Sequence, residues 1–109
     1  MASERLEKLL GFLKADPKSS FVRFAVAKEY ESLGDEQQAL DYYLNLTKDI
    51  PEYTGTYYHL GKLQERLGQY DQAIATYKQG MVICKEQGDK HAYSELAGAK
   101  LEIDDEDDF

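Results

Sequence analysis

Apolar residues recur along most of this chain every three or four positions, the spacing that places them on one face of an α-helix. The opening stretch shows this spacing clearly in Leu6, Leu9, Leu10 and Leu13. The pattern predicts an all-α fold of about six helices. We expect them over residues 4–15, 20–33, 35–50, 54–67, 70–87 and 90–103.

Glycine and proline mark where several of these helices should end. Gly34 and Gly68 can supply the left-handed conformation that ends a helix at little steric cost, and Pro51 stops the third helix. Lys85 stands one period after Pro51, where a second stop would be expected. The fifth helix is therefore predicted to run on to about residue 87, with Gly88 as its terminator.

Polar residues mark two of the helix beginnings. Ser20 is expected to cap the second helix. Asp35 is expected to cap the third helix, with Gln38 three residues on in a form close to a capping box.

The chain repeats itself with a period of 34 residues. Identical residues recur at this spacing in five places: Lys28 and Lys62, Glu31 and Glu65, Leu33-Gly34 and Leu67-Gly68, Gln38-Ala39 and Gln72-Ala73, Tyr43 and Tyr77. The period divides one predicted domain, residues 1–109, into repeats at 20–53 and 54–87. Helices within 1–17 and 89–103 should cap the two ends, and residues 104–109 form an acidic tail.

The second repeat carries a recognisable motif. Tyr57-Tyr58-His59-Leu60-Gly61, then Leu67-Gly68-Gln69-Tyr70-Asp71-Gln72-Ala73, and then Tyr77, resembles the tetratricopeptide repeat (TPR) at its proper internal spacing. The resemblance covers residues 20–87 and implies an α-solenoid of antiparallel helix pairs. The chain departs from the family pattern at Arg23, Gln64, Gly80 and Lys85, and we expect these departures to loosen packing.

The resemblance also implies that the first helix of each repeat lines a concave groove that binds a partner. The groove residues it implies are Phe21, Phe24, Lys28 and Glu31 in the first repeat and Tyr58, Lys62, Glu65 and Arg66 in the second, with Gly55 beside them. Aromatic side chains offer rigid contact area, and lysines can bind a carboxylate of an extended, acidic peptide. The alternative is that both lysines are solvated or paired with Glu31 and Glu65.

Two features limit what the groove is expected to bind. No asparagine accompanies Lys28 on its helix, so binding of chaperone tails is not predicted. Two complete repeats make a short groove, for which micromolar affinity, about 8 kcal/mol, is the expectation.

Charge excludes one class of function and raises another possibility. The net charge is −8, but residues 102 and 104–108 supply six of the 21 acids, leaving 15 acids against 13 bases. Without a basic cluster, nucleic-acid binding is not expected. The acidic tail is expected to be solvated, and the sharper hypothesis is that it docks in the lysine-bearing groove of a second copy as a weak homo-oligomer.

The residues offer no pattern for catalysis. His59 and His91 fall on different predicted helices, no Cys/His cluster suggests zinc, and no glycine loop could cradle a phosphate. We therefore predict no catalytic residue, no cofactor and no metal site. No apolar run reaches the roughly 20 residues that cross a membrane, and the charged opening lacks a secretory signal. The single cysteine, Cys84, fits a reducing cytoplasm.

These observations predict a non-catalytic scaffold or adaptor that binds a protein or peptide segment in the groove of its repeats. The alternative is a self-assembling structural subunit of a larger complex, with tyrosines as contact anchors. Tyr42, Tyr53 and Tyr70 are the tyrosines expected to be exposed for that purpose.

Overall fold

The computed structural model describes residues 3–104, and within that range the chain forms six α-helices and no strand. The helices are α1 (Glu4–Ala15), α2 (Ser20–Ser32), α3 (Glu36–Asp49), α4 (Gly55–Arg66), α5 (Tyr70–Gln87) and α6 (Lys90–Ile103). The predicted all-α fold of about six helices is confirmed. The chain divides into two compact units, unit 1 ending at Tyr53 and unit 2 starting at Thr54. The assignment of the whole chain to one domain stays a prediction.

The helix caps differ from expectation at one position. Ser19, not Ser20, is the cap of α2: its backbone is extended, and its hydroxyl accepts a hydrogen bond from the Val22 N–H at 3.2 Å. Ser20 already has its place inside the helix, so the prediction was wrong by one residue. Asp35 caps α3 as predicted, accepting from the Gln38 N–H at 3.3 Å. The Asp35 N–H donates to the Tyr30 carbonyl at 2.9 Å, so Gln38 does not complete a capping box.

The glycines at the helix ends have the left-handed backbone that the sequence predicted. Gly34, Gly68 and Gly88 have φ angles of 81°, 77° and 72°. Gly88 ends α5, which runs for 18 residues against 14 in α3. The prediction of a longer fifth helix is therefore confirmed.

Unit 1 is built on helices α1 to α3, with α2 packed against both of the others. Its fully or almost fully buried residues come from all three helices: Leu6, Val26, Ala27, Ala39, Leu40, Tyr43 and Leu46. Arg23, which stands where the family prefers an apolar residue, has a side chain only 13% exposed. Its Nη2 atom lies 2.7 Å from Asp49 Oδ2 at the end of α3, so this departure ties two helices together instead of loosening them.

Unit 2 packs α5 against both α4 and α6. Its core cluster contains Tyr57, Ala73, Tyr77, Cys84, Leu96 and Ala99. Two helical glycines allow this packing because there is no room for a side chain. A Cβ at Gly61 would lie 2.2 Å from the Tyr77 ring, and one at Gly80 would lie 2.6 Å from Tyr57 Cβ. Gly80, another departure from the family pattern, is thus required by close contact.

We predict that Gly61→Ala lowers the free energy of unfolding by about 1–3 kcal/mol, because the new methyl group must displace a buried tyrosine ring. The matched control is Gly98→Ala in α6 of the same unit, where a Cβ would meet nothing within 4 Å. This control should gain up to about 1 kcal/mol from helix propensity. Urea unfolding followed by circular dichroism measures both; equal stabilities for the two variants would contradict the packing described here.

Candidate functional site

The same four-residue arrangement occurs in both units, displaced by one period of the sequence. It consists of an aromatic residue, a lysine and a glutamate on the first helix of the pair and a tyrosine on the second. The members are Phe24, Lys28, Glu31 and Tyr43 in unit 1 and Tyr58, Lys62, Glu65 and Tyr77 in unit 2. Three- and four-residue steps along α2 and α4 place the first three members on one helix face. The structure thus brings together, within each unit, three residues that the sequence had proposed as partner-binding and one buried tyrosine that it had not.

The two glutamates hold the helix pairs together. Tyr43 and Tyr77 are fully buried, and their hydroxyl groups donate hydrogen bonds to the carboxylates of Glu31 and Glu65. Burial, followed by the hydrogen bond and charge of Glu65, raises the pKa of Tyr77 well above its ordinary value. Glu31 and Glu65 therefore have a structural role whether or not they contact a partner.

The two lysines differ in what surrounds them. Lys28 is exposed, and its Nζ atom lies 6.0 Å from the centre of the Phe24 ring. Among the described residues it has no ion-pair partner. Lys62 also lies over an aromatic ring, 5.7 Å from the centre of Tyr58.

Lys62, unlike Lys28, is already paired. Its Nζ atom lies 3.3 Å from Glu102 of α6 and 3.7 Å from Glu65. Burial alone would lower the pKa of Lys62, but the hydrogen bond to Glu102 and the charges of Glu65 and Glu102 outweigh it and raise the pKa. Pairing with the neighbouring glutamate, the alternative considered from the sequence, is thus found at Lys62 and not at Lys28.

Unit 1 contains an open hollow beside its lysine. The hollow has a volume of about 400 Å³ and is lined by Arg5, Phe21, Phe24, Ala25, Lys28, Glu29 and Ser32. Phe21, one of these lining residues, is 69% exposed. The Glu29 carboxylate is already occupied, 2.9 Å from the Ser3 hydroxyl and 3.5 Å from Arg5 Nε. Among the described residues, the charged group of this hollow without an ion-pair partner is therefore the Lys28 ammonium, and the Phe21 ring beside it is largely exposed.

Unit 2 has a corresponding hollow between α4 and α6, also of about 400 Å³. Tyr58 lines one side, and Ser94, Glu95, Gly98, Ala99 and Glu102 of α6 line the other. The closing helix thus covers part of the face that carries Lys62. Arg66 lies exposed at the end of α4, and the hollow does not include it.

One pair of facing positions holds different residues in the two repeats, and the sequence analysis missed this pair. In unit 1, Tyr30 and Tyr42 stack with ring centres 5.7 Å apart. In unit 2 the same positions hold Gln64 and Thr76, and the Thr76 hydroxyl donates to Gln64 Oε1 at 2.6 Å. Gln64 is therefore a satisfied buried residue rather than a loosened contact. The signal in the sequence is that positions 30 and 42 both differ from their equivalents, 64 and 76.

Of the three tyrosines expected to be exposed, only one falls in the exposed range. Tyr70 is 54% exposed. Tyr42 and Tyr53 are half-buried, Tyr42 against Tyr30 and Tyr53 against Phe24. Burial, and next the neighbouring Tyr30, raise the pKa of Tyr42.

Within residues 3–104 no three His, Cys, Asp or Glu side chains are placed to hold a metal ion. Over the same range, no helix is both long enough and apolar enough to span a membrane. His59 lies edge-on to the Tyr58 ring, while His91 lies on α6, 3.8 Å from Glu95.

Comparison with known proteins decides the family. A family model described as tetratricopeptide repeat matches residues 54–81. The crystal structure of a tetratricopeptide repeat domain protein from Salinibacter ruber is 41% identical, with a TM-score of 0.77 over 83% of this chain and 100% of that one. The chain belongs to the tetratricopeptide-repeat family. The family resemblance read from the sequence is thereby confirmed.

Two further comparisons are consistent with this assignment, one in sequence and one in fold alone. A TPR repeat-containing protein of Pseudomonas aeruginosa is 28% identical over 96 residues, covering 88% of this chain and 89% of its own length. The solution structure of a Bordetella parapertussis protein shares the fold at 21% identity, with a TM-score of 0.78 over 94% of this chain and 89% of that one. TPR folds are in general protein-interaction modules, and TPR proteins are in general non-catalytic scaffolds.

We predict that Tyr77→Phe lowers the free energy of unfolding by about 2 kcal/mol at pH 7, the typical contribution of a hydrogen bond to a charged group. The matched control is Tyr70→Phe, which removes a hydroxyl from an exposed side chain and should change stability little. Urea unfolding at pH 7 measures both. A loss at Tyr70 as large as at Tyr77 would contradict the role of the Tyr77–Glu65 bond.

The same bond predicts a pH dependence. Because the pKa of Tyr77 is raised in the folded chain, its stabilising effect is complete below the ordinary tyrosine pKa of about 10 and declines as the pH rises above it. Wild type should therefore lose more stability between pH 9.5 and about 11 than Tyr77→Phe does. Parallel losses in the two proteins over this range would show that Tyr77 is not the group responsible.

Proposed function

We propose that this TPR protein is a non-catalytic adaptor that holds a segment of another protein against the exposed faces of its first helices. The residues proposed to contact the partner are those predicted from the sequence: Phe21, Phe24, Lys28 and Glu31 on α2, and Tyr58, Lys62, Glu65 and Arg66 on α4. The observation that carries the proposal is the hollow of unit 1, where exposed Phe21 lies beside the unpaired ammonium of Lys28.

The chemistry of that hollow favours a partner with both apolar and acidic side chains. A single exposed phenylalanine is common on protein surfaces and carries no argument alone. Here Phe21 and Phe24 line one hollow with Lys28, so apolar contact area and a cation are available to a partner at the same place. The ammonium of Lys28 contacts only one ring face, which leaves its other side able to bind a carboxylate.

The face of α4 has a different part in the proposal. Because Lys62 is paired with Glu65 and Glu102, its charge is largely neutralised before a partner arrives. We propose that this face supplies contact area, chiefly through Tyr58, and little charge selectivity. The expected affinity for a free peptide remains micromolar, about 8 kcal/mol.

A second candidate function, self-assembly as a subunit of a larger complex, is favoured by the two end helices. Terminal helices of repeat proteins normally turn a polar face outward. In this chain α1 exposes 61% of Phe12 and α6 exposes 65% of Leu101. A stable dimer or larger species at micromolar concentration, lost in a Phe12→Ser or Leu101→Ser variant, would favour this function over the adaptor.

The proposal places the adaptor in a reducing cytoplasm. Cys84 is the one cysteine of the sequence and is fully buried. Burial, with a smaller effect of Asp89, raises the pKa of its thiol, which keeps it in the protonated, unreactive form.

We predict that Lys28→Gln loses a protein partner that wild type captures from extracts of its own cells, whereas Lys62→Gln retains it. The two lysines occupy equivalent positions and each lies over an aromatic ring, but only Lys28 has an ammonium free for a partner's carboxylate. Capture followed by mass spectrometry measures this, with Lys48→Gln, at an exposed position of α3, as a surface-charge control. Equal capture by all four proteins would place recognition outside these faces.

A further inference from the structure

The acidic run after α6 divides into a bound residue and a remaining segment. Asp104 follows the last turn of α6, and its carboxylate lies 2.9 Å from Lys100 Nζ, with both side chains only 12% exposed. Asp104 is thus part of the folded unit, unlike the fully solvated tail expected from the sequence. Residues 105–109 lie outside the described residues, and their sequence is Asp-Glu-Asp-Asp-Phe. We call residues 105–109 the acidic segment.

The side chains of the acidic segment are complementary to the groups of the unit 1 hollow. Its negative group, Glu29, is already bound by Arg5 and Ser3. Among the described residues Lys28 has no carboxylate partner, and Phe21 is largely exposed. The acidic segment offers four carboxylates followed by one phenylalanine. An anion beside Lys28 and an aromatic ring beside Phe21 would satisfy both groups.

We infer that the acidic segment of a second copy of this chain binds in the hollow of unit 1, with carboxylates beside Lys28 and Phe109 against Phe21 and Phe24. This inference rests on the proposed function, since it uses the same site and names a second copy as an occupant. The lengths agree. The hollow follows α2 from Phe21 to Ser32, about 16 Å at the helical rise, and five extended residues span about 17 Å.

The hollow of unit 2 is the wrong environment for the same segment. Glu95 and Glu102 line it, and Lys62, which lies beside Glu102, is already paired. The carboxylates of Glu95 and Glu102 would repel those of the segment, so binding of an acidic segment is disfavoured in this hollow. The charges on the two hollows therefore direct the segment to unit 1. Because the hollow of unit 1 is open, binding should weaken with salt.

The test uses the full-length chain with its own acidic segment neutralised by Asp105→Asn, Glu106→Gln, Asp107→Asn and Asp108→Asn. A peptide of residues 103–109, amidated at its end, is titrated into this ¹⁵N-labelled protein. We expect saturable shifts of amide signals in α2, and at least about tenfold weaker binding when Lys28→Gln is added to the acceptor. Lys48→Gln, which removes an exposed charge outside the proposed site, and a peptide with its acids changed to amides serve as matched controls.

Several results would overturn the inference. These are the absence of saturable shifts, shifts confined to α4 and α6, equal binding by the Lys28→Gln acceptor, or equal binding of the neutral peptide. Sedimentation of the wild-type chain must also show a mass that rises with concentration and falls back when the segment is neutralised. A monomer at all concentrations would exclude the second copy as the occupant.

Failure of this inference can be told apart from failure of the proposed function. Suppose that the peptide does not bind, but the chain with the neutral segment still captures a cellular partner and loses it when Lys28→Gln is added. The adaptor function then stands, and only binding of a second copy is excluded. If neither the peptide nor any cellular protein depends on Lys28, both fall together.

Discussion

The bond between a buried tyrosine hydroxyl and a glutamate on the facing helix is the constraint on which the rest of each unit depends. Tyr43 and Glu31 make it in unit 1, and Tyr77 and Glu65 make it in unit 2. A buried hydroxyl without an acceptor would cost about 1–3 kcal/mol, so the two helices must keep the register that brings the carboxylate to it. In unit 2 this register requires a glycine at position 61 of α4, because the Tyr77 ring lies against the backbone there and leaves no room for a side chain.

This constraint explains why equivalent lysines acquire different surroundings. Each glutamate is fixed by its tyrosine, so it can satisfy a lysine only where the lysine reaches it. Lys62 does reach Glu65, and Glu102 from α6 completes the pairing. Lys28 remains over Phe24, with no carboxylate partner among residues 3–104. The same helix-pair frame therefore carries a neutralised face in unit 2 and a face with an available cation in unit 1.

Local signals made most of the fold predictable, because helix ends depend on the residues at those ends. Left-handed glycines and the missing proline at Lys85 placed the ends of α2, α4 and α5 to within one residue. The misplaced cap shows the limit: Ser19 and Ser20 are chemically equivalent as caps, and only the backbone decides between them. The residues of the candidate site could be named from the repeat, but the pairing of Lys62 with Glu102 could not. Those residues are 40 positions apart, and their contact depends on how α6 packs in unit 2.

The exchanged pairs show how far two repeats can diverge without losing the frame. Tyr30 and Tyr42 contact through stacked rings, whereas Gln64 and Thr76 contact through one hydrogen bond. Replacing only one member would leave a buried amide without its partner or a ring without its neighbour, so the two positions must change together. Surface residues such as Phe21 are under no such restriction, because no helix within unit 1 covers that side chain. Divergence between repeats is therefore free at the exposed faces and coupled in the interior, which is why a partner-binding surface can be specialised in one unit alone.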